Sequence, residues 1–212
     1  MSISRYPVLI FDLDDTLIES FPEYVRIHQR VAHELGWPVP SREALVHYGE
    51  TWESTLAGLF PDRPLEHFFA RFEAIVHEHP YRALPAVVPT LEQLRARGHS
   101  LWIITKRSRL RLDQRLREAG LARALFDGIF AHEDQPVGKP DPRCFEPVWQ
   151  ALGRACPERA IYVGDRHDDH VAAREAGLTF VGVRSGPEQP AWHGAPVLDG
   201  VAELPAWLEA ST

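Results

Sequence analysis

Val8-Leu9-Ile10-Phe11-Asp12-Leu13-Asp14-Asp15-Thr16 runs from four apolar residues straight into a cluster of three carboxylates. An apolar run without alternation reads as a parallel strand covered on both faces. Asp12 follows it directly and Asp14 comes two residues later. In extended or gently turning backbone, residues two apart project to the same side, so the two carboxylates converge at a sheet edge. An ordinary Asp, with a pKa of about 3.9, is charged at neutral pH, so such a crevice needs a cation or a shared proton. Asp-rich turns also end strands and cap helices, and the pair alone leaves that plainer reading open.

Three further runs have the same character: Leu101–Thr105, Ala160–Gly164 and Leu178–Val183. Gly128–Ala131 is a shorter fifth candidate. Amphipathic segments lie between them at Thr90–Arg97, Arg109–Ala119, Pro142–Leu152 and Asp168–Ala176, with Gly98, Gly120, Gly153 and Gly177 placed to stop helices. Strand and helix in alternation predict an α/β protein, a doubly wound (Rossmann-like) parallel sheet. One stretch breaks the rhythm. Residues 20 to about 84 carry helical patterns at Tyr24–Leu35, Arg42–His47 and Leu65–His77, punctuated by prolines, and no convincing strand. A βα crossover needs only a dozen or so residues, so this is an inserted helical unit. The expected organisation is a core of residues 1–18 and 85–212, with a small all-helical cap over 19–84.

The 212 residues, 44% hydrophobic and 25% charged, suit one sizeable core with a small accessory unit and argue against disorder. A formal net charge of −7 disfavours a nucleic-acid partner but not a phosphorylated small molecule, because a bound metal reverses the local field. Cys144 and Cys156 form no metal-binding spacing and are expected as free thiols in a reducing compartment. Met1–Pro7 lacks the pattern of a signal peptide, and no run approaches the roughly 18 apolar residues of a membrane span. A soluble, cytoplasmic protein without a membrane partner is expected, as a monomer or homodimer.

Strand ends are where a parallel sheet places its chemistry. Thr105 ends the second strong strand, Lys139 sits in the stiff loop Val137-Gly138-Lys139-Pro140-Asp141, and Asp165 and Asp169 follow the run Ile161–Gly164. Together with Asp12 and Asp14 they make a set suited to a metal, a phosphate cradle and a nucleophile.

On these residues the chain resembles the haloacid dehalogenase-like (HAD) hydrolase superfamily, within it the phosphoglycolate-phosphatase-like group with a helical cap. Phe11–Leu17 resembles the first family motif, Ile103-Ile104-Thr105 the second, Gly138-Lys139-Pro140-Asp141-Pro142 the third and Val163–Asp169 the fourth. Any one match is weak; the four in order are specific. The resemblance implies Asp12 as nucleophile and Asp14 as acid and base, with Thr105 and Lys139 completing the catalytic set. It implies Thr105, Lys106 and Lys139 around the phosphate. It also implies Mg2+ bound by Asp12, the Asp14 main-chain carbonyl and Asp165, with Asp169 orienting Lys139 or a metal-bound water. Asp168 is adjacent to Asp169, and the spacing to Gly177 favours Asp169.

The expected activity is a Mg2+-dependent phosphatase acting on a small phosphorylated metabolite. Carbon–halogen-cleaving relatives lack an acid at the position of Asp14, and the absence of lysine from Glu19 to Ala83 disfavours Schiff-base phosphonate cleavage. A sugar-phosphate mutase of the same superfamily, or an idle phosphate-binding protein, are the alternatives. Asp15 stands where Gly is common. Lys106, Arg107 and Arg109 add positive charge after Thr105, either a second anion site or simply a basic helix start. Arg166 replaces a frequent Ser. Specificity is expected on the cap, with His28, His33, His47, Tyr48, Gly49, Trp52 and Arg71 as candidates.

Overall fold

The computed structural model describes residues 5–46, 51–188, 192 and 194–211. Its strands are β1 (Val8–Phe11), β2 (Ile18–Glu19), β3 (Arg82–Ala83), β4 (Ser100–Ile104), β5 (Gly128–Phe130), β6 (Ala160–Gly164), β7 (Thr179–Val183) and β8 (Val197–Leu198). Its α-helices are α1 (Phe21–Glu34), α2 (Trp52–Leu59), α3 (Leu65–Ile75), α4 (Val87–Ala96), α5 (Arg109–Glu118), α6 (Glu146–Leu152), α7 (His167–Glu175) and α8 (Leu204–Ala210). The chain divides into two compact units, residues 1–19 with 82–212, and residues 20–81.

The larger unit is a six-stranded sheet of order β5-β4-β1-β6-β7-β8, parallel throughout. It is the doubly wound α/β architecture that the apolar runs predict. Chain order leads outward from β1 to β4 and β5, then returns to β6 on the other side of β1, so strand order reverses between β1 and β6. Ligands of open α/β sheets bind outside the strand ends at such a reversal. Side chains alternate across the sheet. Val8, Ile10, Trp102, Ile104, Tyr162 and Phe180 form one core with Phe145 and Val148, while Leu9, Phe11, Leu101, Ile103, Ile161 and Val163 on the opposite face are equally buried. Both faces are dry, which is why these strands read as continuous apolar runs. The helix ends at Gly98, Gly120, Gly153 and Gly177 carry the positive φ expected of such stops, between 68° and 88°.

The smaller unit packs Ile27, Val31, Trp37, Leu56, Phe60, Phe68 and Phe72 into one core. Phe21 and Val25 of α1 pack with Leu45 beside it. Four features differ from the expectations. The unit's edges fall at 20 and 81 rather than 19 and 84, because Ile18 and Glu19 pair antiparallel with Ala83 and Arg82 and tie both chain crossings to the larger unit. Two-residue strands carry no readable alternation. Residues 42–46 form turns rather than a helix, and His47 lies outside the described residues. Helix α2 was not expected, although Thr51 and Ser54 form a capping box at its start. The segment from Pro142 begins as a 3-10 turn to Phe145 and becomes α-helical only at Glu146. Pro147 has no N–H to give the Arg143 carbonyl, which accounts for that tighter first turn. Cys144 and Cys156 are both buried free thiols, and burial pushes Cys144 up to about 12. No helix among the described residues is long and apolar enough to cross a membrane.

Candidate active site

Strand β1 hands its ladder on by one residue: the Asp12 N–H donates to the Val163 carbonyl at 2.9 Å. Asp12 is thereby fixed at the reversal between β1 and β6, and it is buried. The chain then curls tightly, with the Asp15 N–H donating to the Ile18 carbonyl at 2.7 Å. That curl puts Asp15 at φ 58°, the left-handed region. Asp tolerates this region better than bulkier residues, because its short polar side chain can bond locally.

Lys139 reaches the same point from the loop after β5. Its ammonium donates to Asp12 Oδ1 at 2.6 Å, to Asp169 Oδ1 at 2.6 Å and to the Tyr162 hydroxyl at 2.8 Å. Asp165, at the end of β6, is fully buried and accepts from Thr16 Oγ1 at 3.2 Å. Its second oxygen, Oδ2, is buried with no hydrogen-bond partner. Asp12, Asp165 and Asp169 each offer an oxygen within 4.8 Å of the others. Both Asp169 oxygens are engaged, Oδ1 by Lys139 and Tyr162 and Oδ2 by the Arg166 N–H at 3.0 Å.

Two glycines make room for these carboxylates. A Cβ on Gly186 would lie 1.9 Å from Asp165 Oδ2, and one on Gly164 would lie 2.5 Å from Asp169 Oδ2. Only a residue without a side chain lets the backbone come so close.

Asp14 points elsewhere. Its carboxylate is held bidentately by Arg107, whose Nε donates to Oδ2 at 3.0 Å and whose Nη2 donates to Oδ1. Thr105 is buried, its amide bonded to the Phe130 carbonyl and its hydroxyl accepting from the Arg107 N–H at 3.1 Å. Lys106, expected near the phosphate, instead donates to Asp168 at 2.6 Å, and Arg109 is paired with Asp134. Each of these three cations has a carboxylate partner, so a second anion site there would have to displace one. Asp168 and Asp169 are separated in the fold: Asp169 meets Lys139 while Asp168 meets Lys106.

The family profile for haloacid dehalogenase-like hydrolases matches residues 9–183. The chain belongs to that family. It is 29% identical to the pyrophosphatase PpaX of Bacillus velezensis over 188 residues, covering 86% of this chain and 85% of the relative. It is 30% identical to a phosphoglycolate phosphatase of Pseudomonas putida over 202 residues, covering 90% of this chain and 72% of the relative. Among solved structures, a Bacteroides fragilis protein assigned to the haloacid dehalogenase-like hydrolases superposes with a TM-score of 0.79 at 27% identity, covering 94% of this chain and 99% of that one. Family and relatives make this HAD chain an enzyme of the phosphatase kind.

The electrostatics of this HAD site follow from burial. Three clustered carboxylates against one ammonium would leave two negative charges in a buried crevice if all were ionised. Burial raises Asp12 to about 7; Lys139 opposes this, and the charges of Asp169 and Asp14 add to it. Burial, then the charges of Asp169, Asp12 and Asp15, hold Asp165 well above the usual carboxylate range. Burial alone would lower Lys139, but Asp12 and Asp169 outweigh it and keep the ammonium charged. The deficit and the orphaned Asp165 oxygen fit a divalent cation held by Asp12 and Asp165.

One site residue escaped the sequence: Tyr162 reads there as one more apolar strand residue. Arg107 reads there only as part of a second anion site or a basic helix start, and the structure instead pairs it with Asp14. Of the specificity candidates, His28 lies fully buried inside the helical unit, His33 is exposed and Arg71 is paired with Glu34. Trp52 donates its indole N–H to His28 at 2.9 Å. His47, Tyr48 and Gly49 lie outside the described residues.

Proposed function

We propose that this enzyme is a Mg2+-dependent phosphatase that hydrolyses a small phosphorylated metabolite through an aspartyl-phosphate on Asp12, with residues 20–81 as a specificity cap. The observation that carries the reading is the buried group Asp12, Asp165 and Asp169 around Lys139, with one Asp165 oxygen unpartnered. Asp12 and Asp165 are the side chains that would hold the metal, and the Asp14 carbonyl the main-chain group. Magnesium, when bound, neutralises charge on the phosphoryl oxygens and orients the phosphoryl group.

Asp12 attacks phosphorus, the bond to the leaving oxygen breaks, and Asp14 gives that oxygen a proton. A water then attacks the phosphoaspartate, passes its proton to Asp14, and frees inorganic phosphate and the Asp12 carboxylate. Lys139 holds Asp12 in place, and Asp169 holds Lys139. The Thr105 hydroxyl lies at the end of β4, suited to a phosphoryl oxygen. Arg107 positions the Asp14 carboxyl. The relatives' substrates make phosphoglycolate and pyrophosphate the first compounds to assay, in an enzyme expected to work in the cytoplasm.

The test is phosphate release from an aryl phosphate and a phosphometabolite panel, with and without Mg2+, beside Asp12→Asn. Release that needs Mg2+ and disappears in the variant supports the proposal. Release undiminished in Asp12→Asn would remove Asp12 as nucleophile. Transfer to a sugar hydroxyl without release would mark a mutase instead.

A further inference from the structure

We infer that Tyr162 is a positioning residue, the third acceptor that locks the Lys139 ammonium so that one N–H stays on Asp12. The inference rests on the phosphatase reading only for its kinetic consequence. An alkylammonium has three N–H donors and no acceptor, and in a buried site each donor left without an acceptor costs free energy. Here three acceptors stand at 2.6, 2.6 and 2.8 Å, from Asp12, Asp169 and Tyr162, around a lysine side chain only 4% exposed. The Tyr162 proton is committed to Asp169 Oδ1 at 3.0 Å, which leaves a hydroxyl lone pair facing Lys139. The ring cannot drift. It is fully buried on β6 and packs edge-on against Phe145 at 4.9 Å between centroids. Tyr162 is also paired in register with Ile10, two residues before Asp12. Without the hydroxyl, one buried N–H has no partner, and the ammonium nitrogen is free to shift towards another acceptor and off its position against Asp12.

The composition makes this directly observable, because the chain has only two lysines, Lys106 and Lys139. Protein labelled with 15N at the lysine ε-nitrogen gives two side-chain ammonium signals. Lys106 is 41% exposed and serves as the fast-exchanging control. In the wild type, Lys139 is expected to exchange its protons with water far more slowly than Lys106. Tyr162→Phe, with folding checked by circular dichroism and thermal midpoint, is expected to speed that exchange about tenfold or more and leave Lys106 unchanged. Its kcat on an aryl phosphate is expected to fall about tenfold, with KM within about twofold. A wild-type Lys139 that exchanges as fast as Lys106 overturns the inference, and needs no variant that folds. So does a Tyr162→Phe protein with unchanged exchange, unchanged kcat, or a loss confined to KM. If the wild type releases no phosphate, the phosphatase reading fails on its own, and the exchange measurement still decides the role of Tyr162.

Discussion

Acidifying the protein should loosen its helical unit through one residue, His28. The ring is fully buried among Tyr24, Trp52, Phe68 and Phe72. Its Nδ1 bonds the Tyr24 carbonyl at 2.6 Å, so Nδ1 carries the proton, and its Nε2 accepts the Trp52 indole N–H at 2.9 Å. Both nitrogens are satisfied only in the neutral ring; a second proton on Nε2 would face another donor. Burial accordingly lowers His28 from 6.5 to about 4. The folded value is depressed, so the unfolded chain binds the proton first. The stabilising contribution is whole above about pH 6.5 and is lost as pH falls towards 4. The slope is about 1.36 kcal/mol per pH unit, or roughly 3 kcal/mol across the window. Urea unfolding followed by tryptophan fluorescence between pH 7.5 and 4.5 measures it, and His28→Gln supplies a reference that cannot titrate but can still accept from Trp52. Subtracting the two profiles removes every other titrating group. Parallel profiles, with a difference below about 0.5 kcal/mol over two pH units, would refute the argument.

Three further outcomes follow from the site. Gly186→Ala puts a Cβ 1.9 Å from Asp165 Oδ2, so the carboxylate or the loop must move. The expected result is Mg2+ affinity about 10- to 100-fold weaker, read from the metal dependence of kcat, at a stability cost of about 1–3 kcal/mol. Mg2+ added to chelator-treated protein should raise the thermal midpoint, by about 2.7 kcal/mol of stability at 100 times Kd. That shift should vanish in Asp165→Asn and shrink below pH 7, where a proton on Asp12, raised to about 7, competes with the metal. Arg107→Ala releases the Asp14 carboxylate and should lower kcat about tenfold. Its thermal midpoint should move by no more than a few degrees, because the pair is 17% and 29% exposed and contributes little to folding.

Much of this was legible in the chain because the relevant physics is local. Strands β1 and β6 stand at the residues their apolar runs mark, and Asp12, Asp165 and Asp169 meet because each sits at a fixed offset from a strand end. What stayed hidden is what no local pattern carries. β2 and β3 are too short for periodicity and exist only because their two segments return to one another. Trp52–Leu59 has a weak stripe, and its start is visible only to a reader looking for Thr51 and Ser54 as a cap.

The sheet, the interruption after its first strand and the carboxylates at its edge are written in the order of residues, since burial period and strand-end offset are properties of neighbours along the chain. Which side chain partners which was settled by folding. It gave Asp14 to Arg107, 93 positions away, and Lys139 to Asp12 and Asp169, 127 and 30 positions away. It also turned Tyr162 from a core residue into a hydrogen-bond partner and left one Asp165 oxygen without any. Such pairings depend on where separate strands end in space, and ionic and hydrogen-bond partners leave no periodic trace in the chain.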